Sequence, residues 1–201
     1  MSNAQANDRP IDSIQLILAS ASPRRSEILS RITDKFKIVP SNIIERADGP
    51  PEEQVLALAE GKARAVATDH AGVIIGADTV VVIDGRILGK PHSRDQGREM
   101  LQVLSGRGHD VLTGLCVLRT DDNSAYRWCE KTKVWFRDLT ESEVQHYLNT
   151  QEYLDKAGGY AIQGLAAVFV TGINGDYFNV MGLPLCRLVL LLRKAGLDLL
   201  A

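Results

Sequence analysis

Apolar positions along the chain fall into short continuous blocks separated by longer stretches in which they recur at helical spacing. Gln15 to Ala19 reads as a short buried strand. Pro23 then sits where the first turn of a helix tolerates proline, with Ser22 as its cap, and "RRSEILSRI" continues that helix. Phe36 to Pro40 is strand-like and "ERADGPPEE" is a turn-rich link. From Pro51 to Ala67, the spacing of Val55, Leu56, Leu58, Ala59, Ala63 and Val66 predicts an amphipathic helix. The β-branched run Val73 to Ile83 is the clearest strand, and Asp84 with Gly85 turns it into "RILGKP" as a hairpin. Ser93 can cap a helix through Leu104.

Further on, "LSGRGHD" reads as a loop, Val111 to Leu118 as a second strong strand, and Tyr126 to Phe136 as its alternating partner. Thr140 with Glu143 makes a capping box for a helix to Asn149. "DKAGGYAIQG" holds too much glycine to be regular. "AAVFVTGI" and "YFNVM" are expected as strands around a turn at Asn174 and Gly175, before a last helix from Leu183 that Gly196 stops. Interleaved strands and helices with hairpins among them predict an α/β fold built on a mixed sheet with helices on its faces.

Composition narrows the function classes. The 201 residues are 45% apolar, enough for one substantial core, and a single domain is expected over residues 13–201. Residues 1–12 are polar, lack an apolar signal core, and read as a disordered leader or tag remnant. With 23 basic and 25 acidic side chains the net charge is −2, so nothing global draws the chain to nucleic acid or an anionic membrane. Any polyanion must be met locally. The apolar runs are short and interrupted by charge, so none is expected to span a bilayer. Cys116, Cys129 and Cys186 show no metal or redox spacing and suit reduced thiols in a cytoplasmic protein.

The local chemistry gathers at a few stretches. In "LASASPRR", Ser20, Ser22, Arg24 and Arg25 add donors to a helix start, an arrangement that suits phosphate, although a serine cap followed by solvated arginines is the other reading. In "GADTVV", Asp78 lies within an apolar strand, where a carboxylate needs a cation, a donor or a metal. Asp78 is thus a candidate metal ligand or general base, or else a buried aspartate held by amides; Thr79 faces the other way. Lys62 shares its helix with Glu60 and Arg64, a pattern that also fits a solvated charged face. Lys90, between glycine and proline, can be aimed at a phosphate, but "GRILGKP" is one residue short of a P-loop. In "DKAGGYAIQG", Asp155, Lys156, Tyr160 and Gln163 lie on a segment that could close over a ligand; Gln163 can both donate and accept, as reading a base edge requires. His70, His92, His109 and His146 stand apart and suit surface or packing roles.

Taken in order, "LASASPRR", "GADTVV", "LGKP", "LSGRGHDVLTG", "DKAGGYAIQG" and "NGDYFNVMGLPL" resemble the Maf family of nucleoside triphosphate pyrophosphatases, from Leu16 to the last helix. The resemblance implies an inosine-triphosphatase-like fold, a long mixed sheet in two lobes with the substrate between them. It implies that Ser20, Arg24 and Arg25 bind phosphate and that Glu45, Lys62, Asp78 and Lys90 are the charged catalytic positions, with Asp78 as proton acceptor. Arg24, Thr79 and Gln163 match the branch that prefers dTTP and UTP. Glu45 and Asp78 are expected to hold a divalent cation, Mg²⁺ or Mn²⁺. A homodimer is implied, as are modified pyrimidine triphosphates as further substrates; the family's link to septum formation leaves a nucleotide-binding regulator as the alternative. Two positions depart from the family pattern, Thr33 and Gly61, where glycine and a larger residue respectively are usual.

Overall fold

A computed structural model describes residues 14–200; the leader expected over residues 1–12 lies outside them. The elements run β1 (Leu16–Leu18), α1 (Pro23–Leu29), β2 (Lys37–Ile38), α2 (Pro51–Ala67), β3 (Val73–Ile83), β4 (Arg86–Leu88), α3 (Arg94–Leu104), β5 (Gly108–Arg119), β6 (Ala125–Phe136), α4 (Glu141–Asn149), β7 (Val170–Asn174), α5 (Tyr177–Met181) and α6 (Leu185–Lys194). Two 3₁₀ turns, Ala157–Gly159 and Leu165–Phe169, fill the connection from α4 to β7. The strands form one seven-stranded mixed sheet in the order β2-β1-β3-β5-β6-β7, with β4 also on β3. Only the β2-β1-β3 corner is parallel; the other pairings are antiparallel.

The register along β3 opens the sheet. One edge of β3 is paired with β5 from Val73 to Val82. The other edge is shared: β1 pairs with Val73–Ile75 and β4 with Val81–Ile83. Between them, residues 76–80 have no strand beside them on that edge among the described residues. The sheet therefore splits there into two lobes, one carrying β1, β2 and α1 and the other β4 and α3, with Asp78 and Thr79 at the floor of the gap.

Strand alternation sorts the core into two layers. Ile17, Ala19, Ile74, Cys116 and Leu118 pack with Ala59, Ala63 and Val66 of α2. Leu16, Leu18, Val73, Ile75, Leu115 and Val117 face the larger cluster, which draws in Ile28, Leu101, Leu148 and Leu188 from the helices of the opposite side. Helix α2 lies unusually low on the sheet because two glycines sit beneath it. A Cβ at Gly76 would overlap the Ala59 carbonyl and come within 3.0 Å of the Ala63 nitrogen; one at Gly114 would overlap the Val55 carbonyl.

Local signals account for most boundaries. Asp84 and Gly85 take φ of 50° and 74°, the two-residue hairpin turn expected. Ser93 caps α3 through Gln96, and the Thr140–Glu143 capping box opens α4. Three expectations need correction. "YFNVM" is α5, not a strand: the Asp176 carboxylate accepts from the Phe178 and Asn179 amides, and Gly182 at φ 106° ends the helix. The first half of "AAVFVTGI" is the 3₁₀ turn, so the strand starts only at Val170. Ser22 occupies the N-cap of α1, but its side chain makes no cap bond there.

Replacing Gly76 or Gly114 by Ala is expected to destabilise the fold by about 3 kcal/mol, the upper end for overpacking, because the obstructing atoms are backbone. Gly61→Ala, whose Cβ would meet only the Ile43 side chain at 3.4 Å, is expected to stabilise by up to about 1 kcal/mol through helix propensity. Urea denaturation of the three variants checks both signs.

Candidate active site

Lys62 is the hub of the gap. Low on α2, it is 6% exposed, and its Nζ lies 2.6 Å from both Asp78 Oδ1 on β3 and Glu45 Oε1 on the link before α2. The solvated-face reading of Lys62 is therefore replaced: Glu60 and Arg64 pair with each other on the outside of the helix while Lys62 points inward. Asp78 is 7% exposed and uses only Oδ1 on Lys62; Oδ2 accepts no hydrogen bond from the described residues. Burial opposes ionisation of Glu45, but the Lys62 hydrogen bond and charge, aided by Lys90 and Arg25, outweigh it and hold its carboxyl below the usual range. The link runs in beside α2 here: Ile43, two residues before Glu45, lies next to Gly61, its Cδ1 3.4 Å from where a Cβ would stand.

On the other face of β3, Thr79 meets Arg25. The Arg25 guanidinium donates from Nε to the Gly182 carbonyl at 2.8 Å, from Nη2 to Thr79 Oγ1 at 3.1 Å and from Nη1 to Ser20 Oγ at 3.4 Å. Thr113 donates its hydroxyl proton to the Asn179 carbonyl, so in the 3.0 Å Thr79–Thr113 contact the proton comes from Thr79. Thr79 thus accepts from Arg25 and donates to Thr113, and its place in the geometry is to fix Arg25. Two guanidinium N–H groups of Arg25 remain for a ligand. Ser20 Oγ also receives the Ser22 amide, which pins the turn between β1 and α1. Thr113, Asn179 and Gly182 lie within the motifs "LSGRGHDVLTG" and "NGDYFNVMGLPL", but the sequence assigned none of them a role; a buried asparagine with its amide on Val111 and Thr132 is a signal only once the fold is known.

The glycine-rich segment is wedged in place rather than loose over the gap. Gly158 donates to the Gly89 carbonyl at 3.0 Å, and a Cβ on it would press on Val81 at about the 2.9 Å separation of a clash. Tyr160 is buried with its hydroxyl 2.8 Å from His109 Nε2. That places Lys156 near Lys90 and Arg24, whose charges both act on it. Gln163 is exposed on this segment and makes no hydrogen bond to the other site residues among those described. Of the predicted residues, Glu45, Lys62 and Asp78 are in direct contact, as are Ser20, Arg25 and Thr79. Arg24 and Lys90 reach the cluster through their fields, and Gln163 stands apart.

A gap floored by a carboxylate with one oxygen free of hydrogen bonds and lined by five cations has the chemistry to hold a polyanion beside a proton acceptor. The family model described as "Maf-like protein" matches residues 15–195, and the chain belongs to the Maf family. Among curated relatives, the dTTP/UTP pyrophosphatase of Thermococcus gammatolerans is 48% identical over 186 residues, 92% of this chain and 99% of that one. The proteins of the same name from a Geobacillus species and from Bacillus cereus are 49% and 44% identical, over 90% and 92% of this chain and 98% and 97% of theirs. Among solved structures, the Staphylococcus aureus Ham1 protein superposes with a TM-score of 0.46 at 13% identity, covering 62% of this chain and 72% of that one.

His109 supplies a pH test of the wedge. Burial lowers it from 6.5 to about 4, so it is neutral in the fold and gains a proton on unfolding below pH 6.5. Stability is expected to fall by roughly 3 kcal/mol as pH drops from 6.5 to 4, with Glu45 adding to the loss at still lower pH. In His109→Leu the Tyr160 hydroxyl loses its partner and overall stability drops, but the slope between pH 6.5 and 4 should flatten. Urea midpoints at four pH values check this; an unchanged slope in the variant would reject it.

Proposed function

We propose that the protein hydrolyses dTTP and UTP to the nucleoside monophosphate and pyrophosphate. The observation that carries the reading is Asp78, held by Lys62 through Oδ1 with Oδ2 open to the gap, among more positive charge than its own neighbours require. Asp78 Oδ2 orients a water and takes its proton as the oxygen bonds to the α-phosphorus; the bond from that phosphorus to the bridging oxygen breaks, and the electron pair leaves with pyrophosphate. Lys62 holds Asp78 in place through the 2.6 Å hydrogen bond to Oδ1. Arg25, aligned by Gly182, Thr79 and Ser20, presents its remaining N–H groups to phosphate oxygens without first having to be ordered.

The donor set also fits a divalent cation. Glu45 and Asp78 converge on one point, now taken by the Lys62 ammonium, and two carboxylates with phosphate oxygens are a set that Mg²⁺ or Mn²⁺ accepts. No group of three or more metal-binding side chains occurs among the described residues, so these two would hold the ion only together with substrate. Its contribution when bound is positive charge on the phosphate oxygens.

Base selection in this reading falls to Gln163, exposed and able to donate and accept, while Thr79 acts through Arg25. Modified pyrimidine triphosphates with the same edge belong to the same substrate class. A homodimer belongs to this reading, and the three thiols are unpaired, in keeping with a cytoplasmic setting. Among the described residues no helix is long and apolar enough to cross a membrane.

Pyrophosphate release from dTTP and UTP with Mg²⁺, and little from ATP, GTP or CTP, is the expected result, with Asp78→Asn lowering kcat by at least about 100-fold. Near-normal turnover in Asp78→Asn would remove Asp78 from the reaction. Tight nucleotide binding with no release would leave a binding protein in place of an enzyme.

A further inference from the structure

Outside the Lys62 cluster, Arg24 and Lys90 lie close enough to Lys156 for their charges to act on it, and none of the three has a carboxylate within ion-pairing distance among the described residues. Their proximity is enforced by backbone. Gly89, immediately before Lys90, is bonded to Gly158, two residues after Lys156. Gly159 packs on Pro91, immediately after Lys90, where an added Cβ would lie 3.7 Å away. Tyr160 is anchored from below by His109. Lys156 is half-buried, and its Nζ has one protein partner, the Leu154 carbonyl at 3.1 Å, which leaves two N–H donors. The neighbouring acids act on it only through their fields and do not pair with it: Glu152 is committed to the Leu165 amide at 2.8 Å, and Asp155 is exposed. Burial first, then repulsion from Arg24, makes the Lys156 ammonium harder to maintain than in water; Asp155 and Glu152 oppose this and Lys90 adds a smaller push. Like charges gathered in this way are relieved by a bound anion.

We propose that Lys156 binds substrate, completing with Arg24 and Lys90 a site for the β- and γ-phosphates, while the α-phosphate lies over Asp78. This rests on the pyrophosphatase reading and divides the gap into two parts. Asp78, Lys62 and Glu45 serve the phosphorus under attack. Arg24, Lys90 and Lys156 serve the group that departs, where negative charge accumulates as the bond to the α-phosphorus breaks. The wedge holds Lys156 at this end before substrate arrives.

Calorimetric titration of the full-length protein with inorganic pyrophosphate and, separately, with dTMP, both with Mg²⁺, tests the assignment alongside dTTP kinetics. In Lys156→Met the pyrophosphate Kd is expected to rise about 10–30-fold, as for loss of one charge-assisted contact, with dTMP affinity unchanged, and Lys156→Arg should restore most of the loss. Unchanged pyrophosphate affinity in Lys156→Met overturns the proposal, as does equal weakening of pyrophosphate and dTMP, which would mark a general disturbance of the gap. If the wild type hydrolyses dTTP while Lys156→Met binds pyrophosphate normally, only the role of Lys156 falls. If the wild type neither hydrolyses dTTP nor binds pyrophosphate, both readings fall.

Discussion

The close seating of α2 on two glycines sets the geometry on which the site depends. Gly76 and Gly114 lie on adjacent strands, β3 and β5, and let the helix backbone approach the sheet where any side chain would hold it off. That approach brings the Lys62 ammonium down to Asp78. An ammonium and a carboxylate buried together are each costly to desolvate, and their mutual attraction offsets that cost only at good geometry. The pair is therefore weak evidence for stability in its own right. Its value lies in having a carboxylate fixed and aimed from within the core, with the surrounding packing supplying the stability.

The break along β3 determines what surrounds that carboxylate. Because β1 and β4 share one edge without meeting, the chain leaves the gap from both sides, into the α1 turn on one and past Lys90 on the other. Elements from both lobes then contribute cations without crossing the sheet. Successive residues of β3 serve opposite faces, Asp78 toward α2 and Thr79 toward Arg25 and α5. A continuous strand beside residues 76–80 would have closed both faces at once.

Much of this was legible where the determinants are local. The hairpin at Asp84 and Gly85, the Ser93 cap and the Thr140–Glu143 box each lie within a few residues, and the structure has them. Tyr177 to Met181 misled because five residues are too few to display a helical period, and their alternation resembles a strand after Asn174 and Gly175; Asp176 and Gly182 were the contrary signals. In the site, residue types and order pointed to phosphate and to Asp78. What was not legible was how the donors are used. Arg25 is bonded to Gly182, far along the chain, and Lys62 turns inward because of glycines on two other strands. Such facts follow from the tertiary structure, and no local pattern encodes them.

The distribution of charge carries the argument one step further. In the proposed reading the cations must be held together before the anion arrives, and the fold spreads the five over four rigid pieces: Arg24 and Arg25 on α1, Lys62 on α2, Lys90 beside the end of β4, Lys156 on the wedged glycine turn. Repulsion among them is resisted by the packing of those pieces, and hydrogen bonds that fix Arg25 and Gly158 remove the side-chain and loop freedom that binding would otherwise have to restrict. Glu45 is the more exposed of the two carboxylates paired with Lys62, on a link without regular structure. It is thus the carboxylate best able to move from the Lys62 ammonium to a new partner when a charged ligand enters, while Asp78, fixed in β3, stays where it is.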